Sequence, residues 1–197
     1  MSNRKTILTC TLSVAFLIPA LLTFAQISAP TGPVAFKIRV IRQQLVSPPD
    51  YRSVISGTGN RSTAMSDKWL RVETEFDSLP EWADDVQVKY YVLLGTDKEA
   101  RMFVGDMTYV NVEKGTRHYS GMYIYPNTVQ RYGNGNVQAV AVQLFYKGQL
   151  IDQDSAPATQ QRWWENYTPI TGLLLPPQQT PWSITSYDRY EEPKPTP

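Results

Sequence analysis

His118 is the only histidine of the chain, and it lies in "GTRHYSGMYIYPNTVQRYGNGN" (115–136) beside four of the twelve tyrosines. A Ser–His–acid triad would have to use it. No nucleophile elbow of the form G-x-S-x-G occurs anywhere, however, and His118 opens a β-rich run with Arg117 and Tyr119 alternating to the other face. It reads as a strand residue. Zinc needs three or four ligands, mostly histidine or cysteine, and the single cysteine, Cys10, falls in the N-terminal apolar segment. The nearest carboxylate pairs are Asp84-Asp85, Asp152/Asp154 and Glu191-Glu192. Glycoside hydrolysis needs two carboxyl groups facing across a cleft, roughly 5–10 Å apart. Asp84-Asp85 instead marks a turn, and "DQD" places Asp152 and Asp154 on one strand face, where calcium would lack most of its oxygen ligands. There is no Walker A loop and no G-x-G-x-x-G; the glycine turns "GTGNRS" and "YGNGN" precede no helix that could receive phosphate. The expectation is a protein that is not an enzyme, with no catalytic residue, cofactor or metal site.

Aromatic side chains are the stronger signal. "QQRWWENYTP" holds Trp163, Trp164 and Tyr167. Adjacent tryptophans on a strand point to opposite faces, so one would enter the core and the other stay outside. In "HYSGMYIYP", Tyr119, Tyr123 and Tyr125 share one face of a regular strand with Gly121, and His118, Met122 and Ile124 take the other. Such a row is either a cross-strand ladder or an open binding stripe. Two classes of function follow. One is protein–protein contact with Trp164, Leu174 and Trp182 as anchors. The other is a carbohydrate-binding platform of Tyr119, Tyr123, Tyr125 and Trp163.

The elements that must carry these residues have an apolar period of two. Val34, Phe36, Ile38 and Val40 share a face. So do Leu70, Val72, Thr74 and Phe76, with Arg71, Glu73 and Glu75 opposite, and so do Val86, Val88, Tyr90 and Val92. This alternation predicts half-buried strands. "RMFVGDMTYVNV" and "NVQAVAVQLFY" are also β-rich, "LLGTDKEARM" and "NVEKGTRH" read as hairpin-sized connections, and Lys147-Gly148 has the composition of a two-residue hairpin turn. The best helical stretch is a single turn at "SLPEWADD", with Ser78 as cap and Pro80 in the first turn. About seven short antiparallel strands predict an all-β, immunoglobulin-like β-sandwich, with an up-and-down barrel as the alternative. "SPPDYRSVISGTGNRSTAMSDK" (47–68) is long for a loop and could hold an edge strand at "YRSVI". Seven prolines after Tyr167 exclude a helix or central strand there. This Pro-rich tail, 169–197, is expected to end in seven disordered residues, while its apolar "LLLPPQQTPW" should lie on its own domain or on a partner.

The N-terminus is expected to be a secretory signal peptide, 1–25. Arg4 and Lys5 precede an uncharged run from Thr6 to Ala25, and Thr23 and Ala25 place small residues at a cleavage site. An uncleaved anchor is the rival, since twenty uncharged residues could just span a bilayer. Cleavage leaves a domain at 26–168 and the tail, with no cysteine, no membrane span and a formal charge of −1 in place of +1. A chain of this size can bury about 70% of its unfolded surface without a disulfide. No basic run argues for nucleic acid.

The segments "WLRVETEFDSLPEWADDVQVKYYVLL" and "GTRHYSGMYIYPNTVQRYGNGNVQAVAVQLFY" resemble a family of secreted immunoglobulin-like proteins of Verrucomicrobia such as Akkermansia, encoded beside type IV pilus assembly components. The resemblance spans residues 34–167. It implies a single exported β-sandwich in the periplasm or at the cell surface, with a protein partner in the cell envelope and a place in a pilus-associated or cell-surface assembly. It brings no catalytic residues. The basic n-region lacks the glycine cleavage site of a class III pilin leader, which argues against a pilin subunit.

Overall fold

The structure is a computed structural model that describes residues 35–49, 68–96, 99–159, 162–185 and 188–195. The expected signal peptide and the expected edge strand at "YRSVI" lie outside the described residues. Those described belong to one compact unit, residues 32–197.

The alternating segments form the strands they predict. They are β1 (Phe36–Val46), β2 (Trp69–Ala83), β3 (Val86–Leu94), β4 (Arg101–Tyr109), β5 (Val112–Ile124), β6 (Val137–Tyr146) and β7 (Gln149–Ala156), with two short strands, β8 (Pro169–Thr171) and β9 (Leu174–Leu175), from the Pro-rich region. One sheet has the order β1-β2-β5-β9 and the other β7-β6-β3-β4-β8. Every pairing is antiparallel except β4 with β8. This is the expected all-β sandwich. Its seven long strands follow the immunoglobulin-like plan, with the fourth strand beside the third.

The inward sets meet between the sheets. Phe36, Val72, Phe76, Val86, Val88, Tyr90, Val92, Phe103, Val140, Val142 and Leu144 are fully buried in one cluster. Each such aliphatic or aromatic side chain contributes about 1.5–3 kcal/mol by leaving water, so the period-two pattern fixes which face of each strand points inward. The β6–β7 hairpin turns at Lys147 and Gly148, whose φ angles of +50° and +77° are those of a type I′ turn. At the β1–β7 edge, the Ile38 amide donates to Asp152 Oδ2 at 2.8 Å and ties the two sheets together.

Four local expectations are corrected. "SLPEWADD" is not a helical turn, because β2 continues through it to Ala83. Pro80 is tolerated there because it falls in the register interruption between Ser78 and Trp82. "NVEKGTRH" is not a hairpin connection. The chain leaves β4 at Tyr109, crosses between sheets through Val110 and Asn111, and enters β5 at Val112. The region after Ile124 holds a helix, α1 (Pro126–Gly133), with proline in its first turn and Asn134 as a left-handed C-cap (φ +46°). Finally, Trp163 and Trp164 lie in a 3-10 turn (Trp163–Asn166) and not on a strand. Both therefore join one cluster, ring against ring at 5.6 Å, instead of splitting between faces.

Candidate functional site

Each outer face of the sandwich is capped by a tryptophan. On the β3–β4–β6 face, Trp164 stacks on Tyr91 at 5.8 Å, among Leu93, Met102, Val104 and Ala141. Trp163 and Tyr167 pack against the same cluster. On the β2–β5 face, Trp182 stacks on Tyr123 with centroids 4.7 Å apart and meets Trp69 edge-on at 5.7 Å.

The second cap belongs to a strap, described over residues 169–185 and 188–195. β8 adds to the edge of β4, with Phe103 opposite Ile170. The chain then crosses to the other sheet through Gly172 (φ +82°), and β9 adds to the edge of β5, with Ile124 opposite Leu174. Gly105 makes room for this crossing, since a Cβ there would lie within 3.0 Å of Leu174. Further along, the Glu191 amide donates to the Tyr119 carbonyl, and the Val110 amide to the Glu192 carbonyl. Pro193 bridges to Tyr109, and the Lys194 amide donates to the Thr108 carbonyl at 2.7 Å. The strap thus satisfies main-chain groups of β4 and β5 where the two sheets part. Unpaired strand edges invite other strands, and here the chain's own C-terminal region covers them. Of the last seven residues, expected to be disordered, Glu191 to Lys194 are paired along this seam, and residues 196 and 197 lie outside the described residues.

Side chains complete the seat. Glu73, expected on a solvent-facing side, is only 2% exposed. Arg189 grips its carboxylate with two hydrogen bonds, Nη2 to Oε1 at 2.6 Å and Nε to Oε2 at 3.0 Å. The Tyr190 hydroxyl donates to the same carboxylate at 3.3 Å and lies 3.0 Å from the Tyr123 hydroxyl. The Tyr190 ring fills a notch left by Gly121, where a Cβ would come within 2.8 Å of it. His118 Nδ1 meets Glu191 Oε1 at 2.9 Å, and that hydrogen bond raises the imidazole pKa although burial opposes it. Asn111 Nδ2 donates to Glu192 Oε2 at 2.9 Å, and Lys194 pairs with Asp85. Hydrogen bonding to Glu73 holds the Arg189 guanidinium charged, while burial drives the Tyr190 hydroxyl pKa up.

The residues expected to bind are therefore placed as follows. Trp164, Leu174 and Trp182 are buried against their own domain, so none offers a free face. Tyr119, Tyr123 and Tyr125 do not form an open row with Trp163. Tyr123 is fully buried beneath Trp182, Tyr119 lies under the Arg189 guanidinium at 5.3 Å, and Tyr125 is 46% exposed against Trp69. Trp163 sits on the other sheet's cluster. The exposed tryptophan is Trp82, in the "SLPEWADD" stretch expected to form a helical turn; it is 64% exposed, with Leu79 at 51% on the same end of β2. Among the described residues no group of three or more histidine, cysteine or acidic side chains could hold a metal ion, and no helix is long and apolar enough to cross a membrane.

A protein-family model matches residues 28–196, most of the chain. The chain belongs to that family. It is also similar to a protein from Akkermansia muciniphila of known crystal structure, at 20% identity and a TM-score of 0.68, over 85% of this chain and 96% of that one. At that identity the likeness is one of fold. No curated protein matches the chain significantly.

Proposed function

We propose that this protein is an exported, non-enzymatic β-sandwich that works through protein–protein contacts in a cell-surface or type IV pilus-associated assembly. The observation that carries the reading is the pair Leu79 and Trp82. An indole that is 64% exposed, three residues after a half-exposed leucine, leaves apolar surface in water at the end of a strand whose other apolar residues are covered. Tryptophan is the residue type most enriched among interface anchors. The signal-like N-terminus supports an envelope setting. A carbohydrate platform receives less support, because its central ring, Tyr123, is sealed under Trp182.

The test is capture of envelope proteins by the purified chain and by a Trp82→Ala variant. Residue 82 lies largely in solvent, so the variant keeps its fold and its unfolding midpoint. Loss of one specific captured protein from the Trp82→Ala sample supports the reading. Equal capture by both forms removes Trp82 from the interface and overturns it.

A further inference from the structure

The strap is held by the kind of contacts with which a groove holds a foreign peptide. It supplies strand addition at two edges, an aromatic stack, a ring in a glycine notch and a bidentate Arg–carboxylate pair. The strap and the seam are complementary in charge and shape. Arg189 and Tyr190 close over the outward-facing Glu73 carboxylate and leave it 2% exposed, with Arg71 as a further cation at 3.9 Å. Tyr190 and Leu174 lie against Gly121 and Gly105, where a Cβ would meet them at 2.8 and 3.0 Å.

We infer that this seam is a binding site for the strap segment of a second copy of the chain, so that two copies can exchange straps. The occupant is specified by the seat itself. It must present a stacking indole, then arginine, tyrosine and two acids in succession, which are Trp182, Arg189, Tyr190, Glu191 and Glu192. The strap of another copy meets these requirements identically, and an exchanged pair keeps every contact of the single chain. The hinge is Gly172. It has φ +82°, a Cβ there would meet open space, and it lies between the last β8 residue and the first apolar anchors of β9. Whether the strap folds back onto its own copy or crosses to another depends on that one turn and on concentration. The residues involved are not those of the Trp82 contact, so failure of one proposal leaves the other standing.

The test uses the full chain carrying either of two affinity tags. The two forms are unfolded together, refolded, and separated by size with light scattering. A short flexible tether holds its end at an effective concentration of about 1 mM. Mixed-tag dimers are therefore expected after refolding near that concentration and not after refolding at about 10 µM. Gly172→Pro forbids the positive φ of the turn and should raise the dimer fraction several-fold at equal concentration. A second assay avoids refolding. A full-length Arg189→Ala/Tyr190→Ala variant, whose own strap is loosened, should take up a fluorescent peptide of residues 180–197. The wild-type chain, with its seam filled, should bind the peptide at least about tenfold more weakly, and adding Glu73→Gln to the variant should weaken uptake by a similar factor. Monomers alone at every concentration in both wild type and Gly172→Pro would overturn the inference. So would failure of the loosened variant to bind the peptide once protease sensitivity shows its tail detached.

Discussion

Replacing Arg189 by alanine should destabilise the domain more than any other single change in the strap that removes an exposed side chain. Glu73, 2% exposed with Arg189 over it, would keep the Tyr190 hydroxyl at 3.3 Å and the Arg71 guanidinium at 3.9 Å, but would lose two short charged hydrogen bonds and gain only partial access to water. Breaking a wholly buried ion pair costs about 3–5 kcal/mol. The Arg189 side chain is 43% exposed, so water screens part of the interaction. The expected loss is roughly 1.5–3 kcal/mol, or about 4–10 °C in Tm for a domain of this size. Urea unfolding at neutral pH, followed by tryptophan fluorescence, measures it. A double-mutant cycle with Glu73→Gln isolates the pair, because the second change removes the orphaned charge. The cycle should give a coupling of about 1–2 kcal/mol. A single-mutant loss below about 0.5 kcal/mol, the range of ordinary surface substitutions, would refute the claim that the strap satisfies a buried carboxylate. Strict additivity in the cycle would refute it as well.

Three further outcomes are expected. Gly121→Ala should displace Tyr190 from its notch, cost about 1–3 kcal/mol by overpacking, and make the bond after Arg189 sensitive to trypsin; a tail as resistant as wild type would contradict the notch. The His118–Glu191 contact raises the folded-state histidine pKa above the ordinary 6.5. Its stabilisation is thus fully present below pH 6.5 and is lost as pH rises through the higher folded value; a His118→Asn variant should lack this fall in urea-unfolding stability, and equal profiles for the two proteins would refute the assignment. Trp82→Ala should change unfolding stability by less than about 0.5 kcal/mol, as an exposed substitution does; a larger loss in urea would mean that the indole packs on its own domain.

Much of the sandwich is legible in the sequence because burial on one face imposes a period of two. Phe36 and Ile38, Leu70 through Phe76 and Val86 through Val92 declare their inward faces without reference to any other segment, and Lys147-Gly148 declares its turn by backbone requirement alone. Local rules misled where two of them competed. Pro80 in "SLPEWADD" suggested a helix start, yet an interruption in strand register accepts proline equally well. The helix at Pro126–Gly133 did leave signals, proline at its start and Asn134-Gly135 at its end, but it is too short to show an apolar stripe. The seat of the strap was not legible at all. Arg189 lies 116 residues from Glu73, and Glu191 lies 73 from His118. An acid in an alternating strand looks solvated until its distant partner is known. Only Gly121, standing in a row of tyrosines, hinted that something packs closely there.

Hydrogen exchange on the intact chain tests the docked strap most directly. The amides of Glu191 and Lys194 donate to β5 and β4, and that of Val110 donates to the strap. All three should exchange orders of magnitude more slowly than an unstructured peptide of the same sequence, and Arg189→Ala should speed them together. Exchange of Glu191 and Lys194 at free-peptide rates in the wild-type protein would contradict the account, because it would mean that the C-terminal segment is a loose tail and the seam between the sheets stands open.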